Sequence, residues 1–232
     1  MTCLSLTSAV RIVAAASALT STAAFADYPL LVDDAETLDE GRCETQLGFA
    51  RTRANQLPLA FTQDGSFECG IGYDTQLGLE FQRVGMAGDE ITSFSIKGKT
   101  SFSKAEEGRI GWGLAYGINL SKVPGEALTI ESYDSTLLAS REFGRAFNAH
   151  ANLGWNYERD SRHSTTTWGL GIETQSAVVL GLSVQGDDRR KLLWAVGARH
   201  DFTSRFSASL TYIKANDESQ SHTIRLGGKY QF

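Results

Sequence analysis

Few residues of this sequence have the types and spacing that enzyme chemistry requires. A hydrolase needs a nucleophile within reach of a base that a third group orients, and His163 next to Ser164 comes nearest to that arrangement. Adjacent residues on a strand point in opposite directions, and no acid follows at a matching spacing. We therefore interpret His163 as a loop histidine and predict that the protein is not an enzyme.

Cofactor and metal motifs are equally weak. The glycines at Gly70 and Gly72, and at Gly111, Gly113 and Gly117, are spaced as in a dinucleotide-binding loop. Neither group opens a helix after a parallel strand, which phosphate binding requires. The cysteine spacing matches no zinc pattern. The sequence therefore predicts neither a cofactor nor a metal.

Composition and charge narrow the class of protein further. The 232 residues carry 22 Lys and Arg against 27 Asp and Glu, a formal net charge of −5, with no block of like charge. This balance argues against a nucleic-acid partner, which basic patches would attract. No apolar run reaches the roughly 18 residues of a membrane-spanning helix, so membrane insertion would require a closed sheet.

Alternation with a period of two dominates the chain after residue 41 and predicts strands. The clearest segment carries large apolar residues at every second position: Ile110, Trp112, Leu114, Tyr116, Ile118 and Leu120. A strand places them on one face, whereas a helix would scatter them. Twelve segments follow the pattern, of which the sixth alternates least well: 42–53, 66–74, 75–84, 91–103, 108–120, 127–140, 145–158, 164–174, 177–186, 190–200, 205–214 and 221–232.

The position of the aromatic residues indicates that the apolar face meets lipid. Six are expected towards one rim: Phe102, Trp112, Phe147, Phe206, Tyr230 and Phe232. Five are expected towards the other: Trp155, Tyr157, Trp168, Trp194 and Tyr212. Two aromatic girdles are typical of a membrane barrel, whose interior is polar. We predict an all-β protein, a twelve-stranded antiparallel up-and-down transmembrane β-barrel in the bacterial outer membrane, with the lipid bilayer as partner.

The two ends of the chain support export. Residues 1–26 contain an apolar stretch and end in Ala24, Phe25 and Ala26, a signal-peptide cleavage pattern. The final strand ends on Phe232 and resembles the last strand of outer-membrane proteins, whose terminal Phe is read by the barrel assembly machinery. We predict a signal peptide over 1–26, an acidic arm over 27–40 and a barrel over 41–232.

The arm carries the most specific resemblance to a known family. Residues 29–37 read PLLVDDAET, followed by Gly41, Glu44 and Leu47. This stretch resembles the opening of the MetA-pathway of phenol degradation family, and the likeness continues at 72–79, 151–155 and 197–232. The resemblance implies an outer-membrane barrel that lets small hydrophobic or aromatic solutes through. The alternative is a structural or adhesion barrel without transport, although the short predicted outer loops argue against adhesion.

Several residues are candidates for function within such a barrel. The predicted lumen-lining residues are Glu44, Glu68, Glu80, Lys97, Lys99, Arg109, His150, Asn152, Glu173, Arg199 and Arg225. Asp33, Asp34 and Glu36 of the arm either enter the lumen as a plug and pair with Lys97, Lys99, Arg109 or Arg225, or cap a turn at the rim.

A disulfide is a further candidate feature. The midpoint of Cys43 and Cys69 falls on Gln56 in a predicted hairpin loop, and both cysteines have the apolar parity of their strands. Such a hairpin would place them directly opposite each other on the outer face, within reach of a disulfide. The alternative is that they are two small lipid-facing hydrophobic residues without a bond.

Overall fold

The computed structural model describes residues 29–55, 57–122, 127–189, 192–216 and 220–232. The predicted signal peptide lies outside these ranges. Twelve strands make up the described chain: β1 (Cys43–Arg53), β2 (Ala60–Gly72), β3 (Thr75–Met86), β4 (Asp89–Ser103), β5 (Ile110–Lys122), β6 (Thr129–Phe143), β7 (Phe147–Glu158), β8 (His163–Thr174), β9 (Val178–Asp187), β10 (Leu192–Asp201), β11 (Phe206–Ala215) and β12 (His222–Gln231).

The strands form one closed antiparallel barrel. Each strand pairs with its neighbours in sequence, and β1 closes the ring by pairing with β12, as in Phe49 opposite Leu226. The predicted fold class is therefore confirmed. Because the strand number is even, the N-terminal arm and Phe232 lie at the same end, which we call the terminal rim. The opposite end is the far rim. In the described part of the chain, no helix is long and apolar enough to cross a membrane.

Strand alternation separates the two faces of the wall. Large apolar side chains point outwards, and Phe49, Leu79 and Leu153 are each more than half exposed. Polar side chains point inwards and are buried, among them Glu68 and Thr211. This arrangement is the reverse of a soluble barrel, which would place its apolar residues inside.

Aromatic residues contact one another at both rims. At the terminal rim, Phe143 stacks on Phe147 with ring centroids 4.8 Å apart. At the far rim, Trp194 lies edge-on to Tyr212, with ring centroids 5.7 Å apart. The strands that carry these residues run between the rims, so the aromatic side chains form belts at two levels of the wall, as predicted.

One outward glycine is needed for aromatic packing. Gly98 of β4 is directly opposite Tyr116 of β5, and a Cβ at Gly98 would overlap the Tyr116 ring. The ring thus lies over the backbone of the neighbouring strand, a cross-strand contact that helps to define the register.

The second strand differs most from its prediction. It begins at Ala60 instead of residue 66, because Gln63, Asp64 and Gly65 resemble a loop in composition but alternate between the two faces of the wall. The inward Asp64 is buried and pairs with Arg225 of β12. An inward charge with a partner two strands away, on the other side of β1, is compatible with a strand.

The poorly alternating sixth segment is also a strand. β6 spans 15 residues, and its register with β5 shifts between Asn119 and Leu120, where Glu131 of β6 is the additional residue. A bulge places two residues opposite one and so interrupts the alternation along the pair.

Candidate functional site: the occupied barrel lumen

The N-terminal arm lies inside the barrel. Leu30, Leu31, Val32 and Ala35 are almost fully buried, although no strand contains them. Ala35 also belongs to a buried hydrophobic cluster with Ala115 and Leu138 of the wall. The interior of the barrel is therefore filled by its own N-terminal segment on the side of the terminal rim.

The inner wall leaves space for the arm by carrying glycine. A Cβ at Gly171 of β8 would overlap Val32, and a Cβ at Gly181 of β9 would overlap Leu30 and Pro29. The arm thus packs directly against strand backbone, a close approach that only glycine permits at these positions.

Polar side chains of the wall hold the backbone of the arm. The N–H of Leu31 donates to Ser183 Oγ at 2.9 Å, and the N–H of Ala35 donates to Ser140 Oγ at 2.8 Å. Between them, Asn152 contacts Asp33; with the amide assigned the orientation that satisfies both groups, it accepts from the Asp33 N–H and donates to the Asp33 carbonyl, each at 2.9 Å. These bonds satisfy buried backbone groups that would otherwise lack partners.

A further arm contact lies nearer the terminal rim. The N–H of Leu38 donates to Gln76 Oε1 at 2.9 Å, and Gln76 Nε2 donates to Glu68 Oε2 at 2.6 Å. Glu68, predicted to line the lumen, therefore supports the arm through Gln76.

Lys99 is the ionic partner of the arm. Its Nζ lies 3.1 Å from Asp33 Oδ1 and 3.1 Å from Asp34 Oδ1, and the side chains of Lys99 and Asp33 are both only 7% exposed. One ammonium cannot neutralise two carboxylates. Burial raises the pKa of the Asp33 carboxyl because it disfavours the charged form, and the Lys99 ammonium only partly opposes this shift.

A second polar cluster of the wall contacts the arm at Ala35. Ser140 Oγ is 2.9 Å from His150 Nδ1, and His150 Nε2 is 3.9 Å from Glu173 Oε1. The composition matches that of a hydrolytic triad, but Ser140 Oγ already accepts the Ala35 N–H and is buried. We interpret the cluster as a support for the arm. Near it, burial raises the pKa of the arm residue Glu36.

The remaining predicted lumen residues join ion pairs along the wall. Lys97 Nζ lies 3.6 Å from Glu80 Oε2, and Arg225 pairs with Asp64. Glu44 Oε2 accepts from Gln231 Nε2 at 3.1 Å. The Arg199 Nε lies 3.6 Å from Asp201 Oδ1. These positions follow the predicted strand parity.

Arg109 does not line the lumen, contrary to the sequence prediction. It precedes β5, in the turn after β4, and its side chain is 79% exposed and 3.7 Å from Glu106. The predicted strand began too early, at residue 108, and so assigned a turn residue to the lumen face. Of the four cations expected near the arm, Lys99 contacts the arm carboxylates of Asp33 and Asp34.

Two inward carboxylates were missed. Asp64 lay outside the predicted second strand, and Asp134 lay in the poorly alternating sixth segment. Asp134 Oδ1 accepts from Asn119 Nδ2 at 2.6 Å across the β5–β6 pair. The signal that could have found Asp64 is Arg225, because an inward arginine in the predicted lumen calls for a carboxylate within reach on a nearby strand.

A cavity of about 760 Å³ lies between the arm and the terminal rim. Arm residues Asp34 and Leu38 form part of its wall, together with Lys104 and Gln231 from the rim. The arm thus borders an open space at this end of the barrel.

The cysteines lie on the outer face at the terminal rim. Cys43 is directly opposite Cys69 in the register of β1 and β2, as predicted. The structure joins them by a disulfide, with Cα atoms 4.1 Å apart. Their oxidation state in purified protein stays a prediction.

The described residues contain no group of three or more His, Cys, Asp or Glu side chains arranged for a metal ion. We therefore assign no residue as a metal ligand.

Similar solved structures are bacterial outer-membrane barrels. The COG4313 outer membrane channel from Pseudomonas putida F1 has a TM-score of 0.61 at 12% identity, covering 86% of this chain and 98% of the channel. The KdgM porin in complex with disordered oligogalacturonate has a TM-score of 0.57 at 9% identity, covering 81% and 99%. The NanC porin has a TM-score of 0.57 at 8% identity, covering 79% and 98%. These similarities show a shared fold.

Sequence comparison gives the family. No curated protein sequence matches the chain significantly. The family model that matches is not the MetA-pathway family that the arm resembles, and that resemblance stays a prediction. A single family model covers residues 12–228, and the chain belongs to this family, described as uncharacterised conserved protein UCP029691.

Proposed function

We propose that this protein is a channel of the bacterial outer membrane for small solutes, closed by its N-terminal arm. The observation that carries the proposal is a polar lumen filled by a separate segment instead of by wall side chains. Neutral hydroxyl and amide groups of Ser183, Asn152 and Ser140 hold that segment. Such bonds can be exchanged for water when the arm leaves.

The outer surface supports membrane insertion. Apolar side chains cover the wall between the two aromatic belts, so lipid is the environment in which this surface is stable. The solved channels with this fold, KdgM, NanC and the COG4313 protein, support a channel role. The terminal rim then faces the periplasm.

The lumen favours solutes with a polar or charged group. Its inward side chains are polar, and Lys99 is positioned to bind carboxylates. The resemblance to the MetA-pathway family indicates hydrophobic or aromatic solutes. Aromatic acids satisfy both conditions, because they combine an apolar ring with a carboxylate.

The alternative of an adhesion barrel fits the far rim poorly. The loop between β3 and β4 contains only residues 87 and 88, and that between β7 and β8 contains residues 159–162. Adhesive surfaces need more exposed chain than these loops provide. A barrel with a structural role and no transport stays the second candidate.

Conductance in planar bilayers tests the channel. We expect low conductance for the full mature chain and an increase of several-fold when residues 27–38 are deleted. The deletion keeps Glu40, which bridges to Gly70 at the start of the barrel. Conductance that is zero with and without the arm would establish the structural barrel instead. A liposome-swelling assay across sugars, amino acids and aromatic acids then defines the solute.

A further inference from the structure

The contacts of the arm define a type of ligand that the lumen can bind. We propose that the inner wall is a binding site for short acidic peptides, which the arm occupies as a tethered ligand. The inference rests on the proposed function in one respect, because it requires that the arm can leave the lumen.

The wall recognises peptide backbone. Its hydrogen bonds go to the N–H groups of Leu31, Asp33 and Ala35, three alternate residues of the arm. The arm bends at Leu31, Val32 and Ala35, so a ligand would follow the same curved path along the wall. Backbone N–H groups are present in any peptide, so these contacts do not depend on the arm side chains.

The acceptors for such a chain lie on strands of the closed wall. Ser183 lies on β9, Asn152 on β7 and Ser140 on β6, so the peptide crosses several strands. Ser183 and Ser140 are 2% and 4% exposed. His150 also bonds Ser140 Oγ, which fixes the hydroxyl in place. A fixed acceptor set loses little entropy when a ligand arrives.

The glycines provide room for ligand side chains. Gly171 and Gly181 form shallow spaces that Val32 and Leu30 enter. Branched apolar side chains of moderate size therefore fit on the N-terminal side of the site. This apolar part distinguishes the site from a simple anion site.

Lys99 selects acidic residues. Its Nζ contacts the carboxylates of both Asp33 and Asp34 at 3.1 Å from within the barrel wall. A charge-assisted bond in a buried site is stronger than a neutral one. The favoured ligand therefore has apolar residues followed by an acidic pair, whereas a basic peptide would be repelled.

Equilibrium binding in detergent tests the inference without requiring conductance. The barrel lacking residues 27–38 is titrated with a fluorescent peptide of that sequence, and anisotropy is measured. We expect saturable binding, and binding about tenfold weaker for the peptide carrying Asp33→Asn and Asp34→Asn. The matched control is a peptide of the same composition in scrambled order.

Competition identifies the class of ligand. The tetrapeptide VDDA should displace the fluorescent peptide, and benzoate at the same concentration should not. Equal displacement by benzoate would overturn the peptide site in favour of a carboxylate site at Lys99. Absence of saturable binding to a folded barrel would also overturn the proposal, while an open channel in bilayers would leave the proposed function intact.

A second variant keeps the test decisive where the deleted barrel does not fold. In the full chain, Ala35→Cys introduces a thiol at a position that is fully buried while the arm is docked. Excess free arm peptide should accelerate maleimide labelling of this thiol by replacing the arm. An unchanged labelling rate at saturating peptide would contradict a shared binding site.

Discussion

At the scale of single residues, Lys99 is the charge on which docking of the arm depends. Replacing it in Lys99→Gln leaves Asp33 and Asp34 facing each other without a cation inside the barrel. Removing one partner of a buried ion pair typically costs about 3 kcal/mol or more. We expect faster hydrogen exchange at the arm N–H groups and a higher conductance.

The matched control is Lys104→Gln. Lys104 borders the cavity at the terminal rim and is exposed, so its loss should leave arm exchange near the parental rate. Equal effects of the two substitutions would show that overall charge at this end of the barrel, and not the bond to Lys99, holds the arm.

Residue parity explains which site residues sequence analysis found. Glu44, Lys99 and His150 occur at polar positions of clear alternating strands, so their inward direction follows from the period of two. The interaction partners of these residues do not follow from the alternation. The contacts of Lys99 with Asp33, more than 60 positions away, and of Arg225 with Asp64 depend on barrel closure and on the path of the arm.

The cysteine pair gives a second prediction at this scale. Cys43 and Cys69 are directly opposite on neighbouring strands and are joined in the structure. We expect mass spectrometry of non-reduced, alkylated protein to find neither cysteine modified, and to find both modified after reduction. Two alkylated thiols in freshly purified protein would contradict the disulfide.

At the scale of elements, the arm and strands β8 and β9 are shaped for each other. Gly171→Val adds a side chain where Val32 now lies. We expect the arm to be displaced while the wall persists, because the added volume lies in the lumen. Overpacking costs about 2 kcal/mol, which corresponds to roughly thirtyfold faster exchange of the Leu31 and Ala35 N–H groups.

Gly85→Val is the control for that substitution. A Cβ at Gly85 has no neighbour within 4 Å, so the same change in side chain should leave the arm docked. Unchanged arm exchange in Gly171→Val would indicate that the arm tolerates the added side chain by local movement.

The element predictions succeeded where apolar and polar residues alternate without interruption. β5 carries six large apolar residues in phase and was recognised directly. β2 was predicted too short because Asp64 lies inside the barrel, and a single-sequence pattern cannot show that a charge has a partner on another strand. The arm has no regular alternation of apolar and polar residues. Its place in the lumen follows from the glycines and hydroxyls of distant strands, so the sequence left its two interpretations open.

At the scale of the whole molecule, closure of the barrel predicts unusual resistance to detergent denaturation. β1 pairs with both β2 and β12, so none of the twelve described strands has a free edge at which unfolding could start. We expect unboiled protein in dodecyl sulfate to migrate differently from boiled protein, with a circular dichroism spectrum dominated by strand. The difference should persist after reduction of the disulfide and after deletion of residues 27–38, because neither is part of the closed hydrogen-bond ladder.

Migration that does not change on boiling, a helical spectrum, or stable solubility without detergent would contradict a membrane barrel. Loss of the shift only in the deleted protein would instead show that the arm is a structural core of the barrel and not a removable plug.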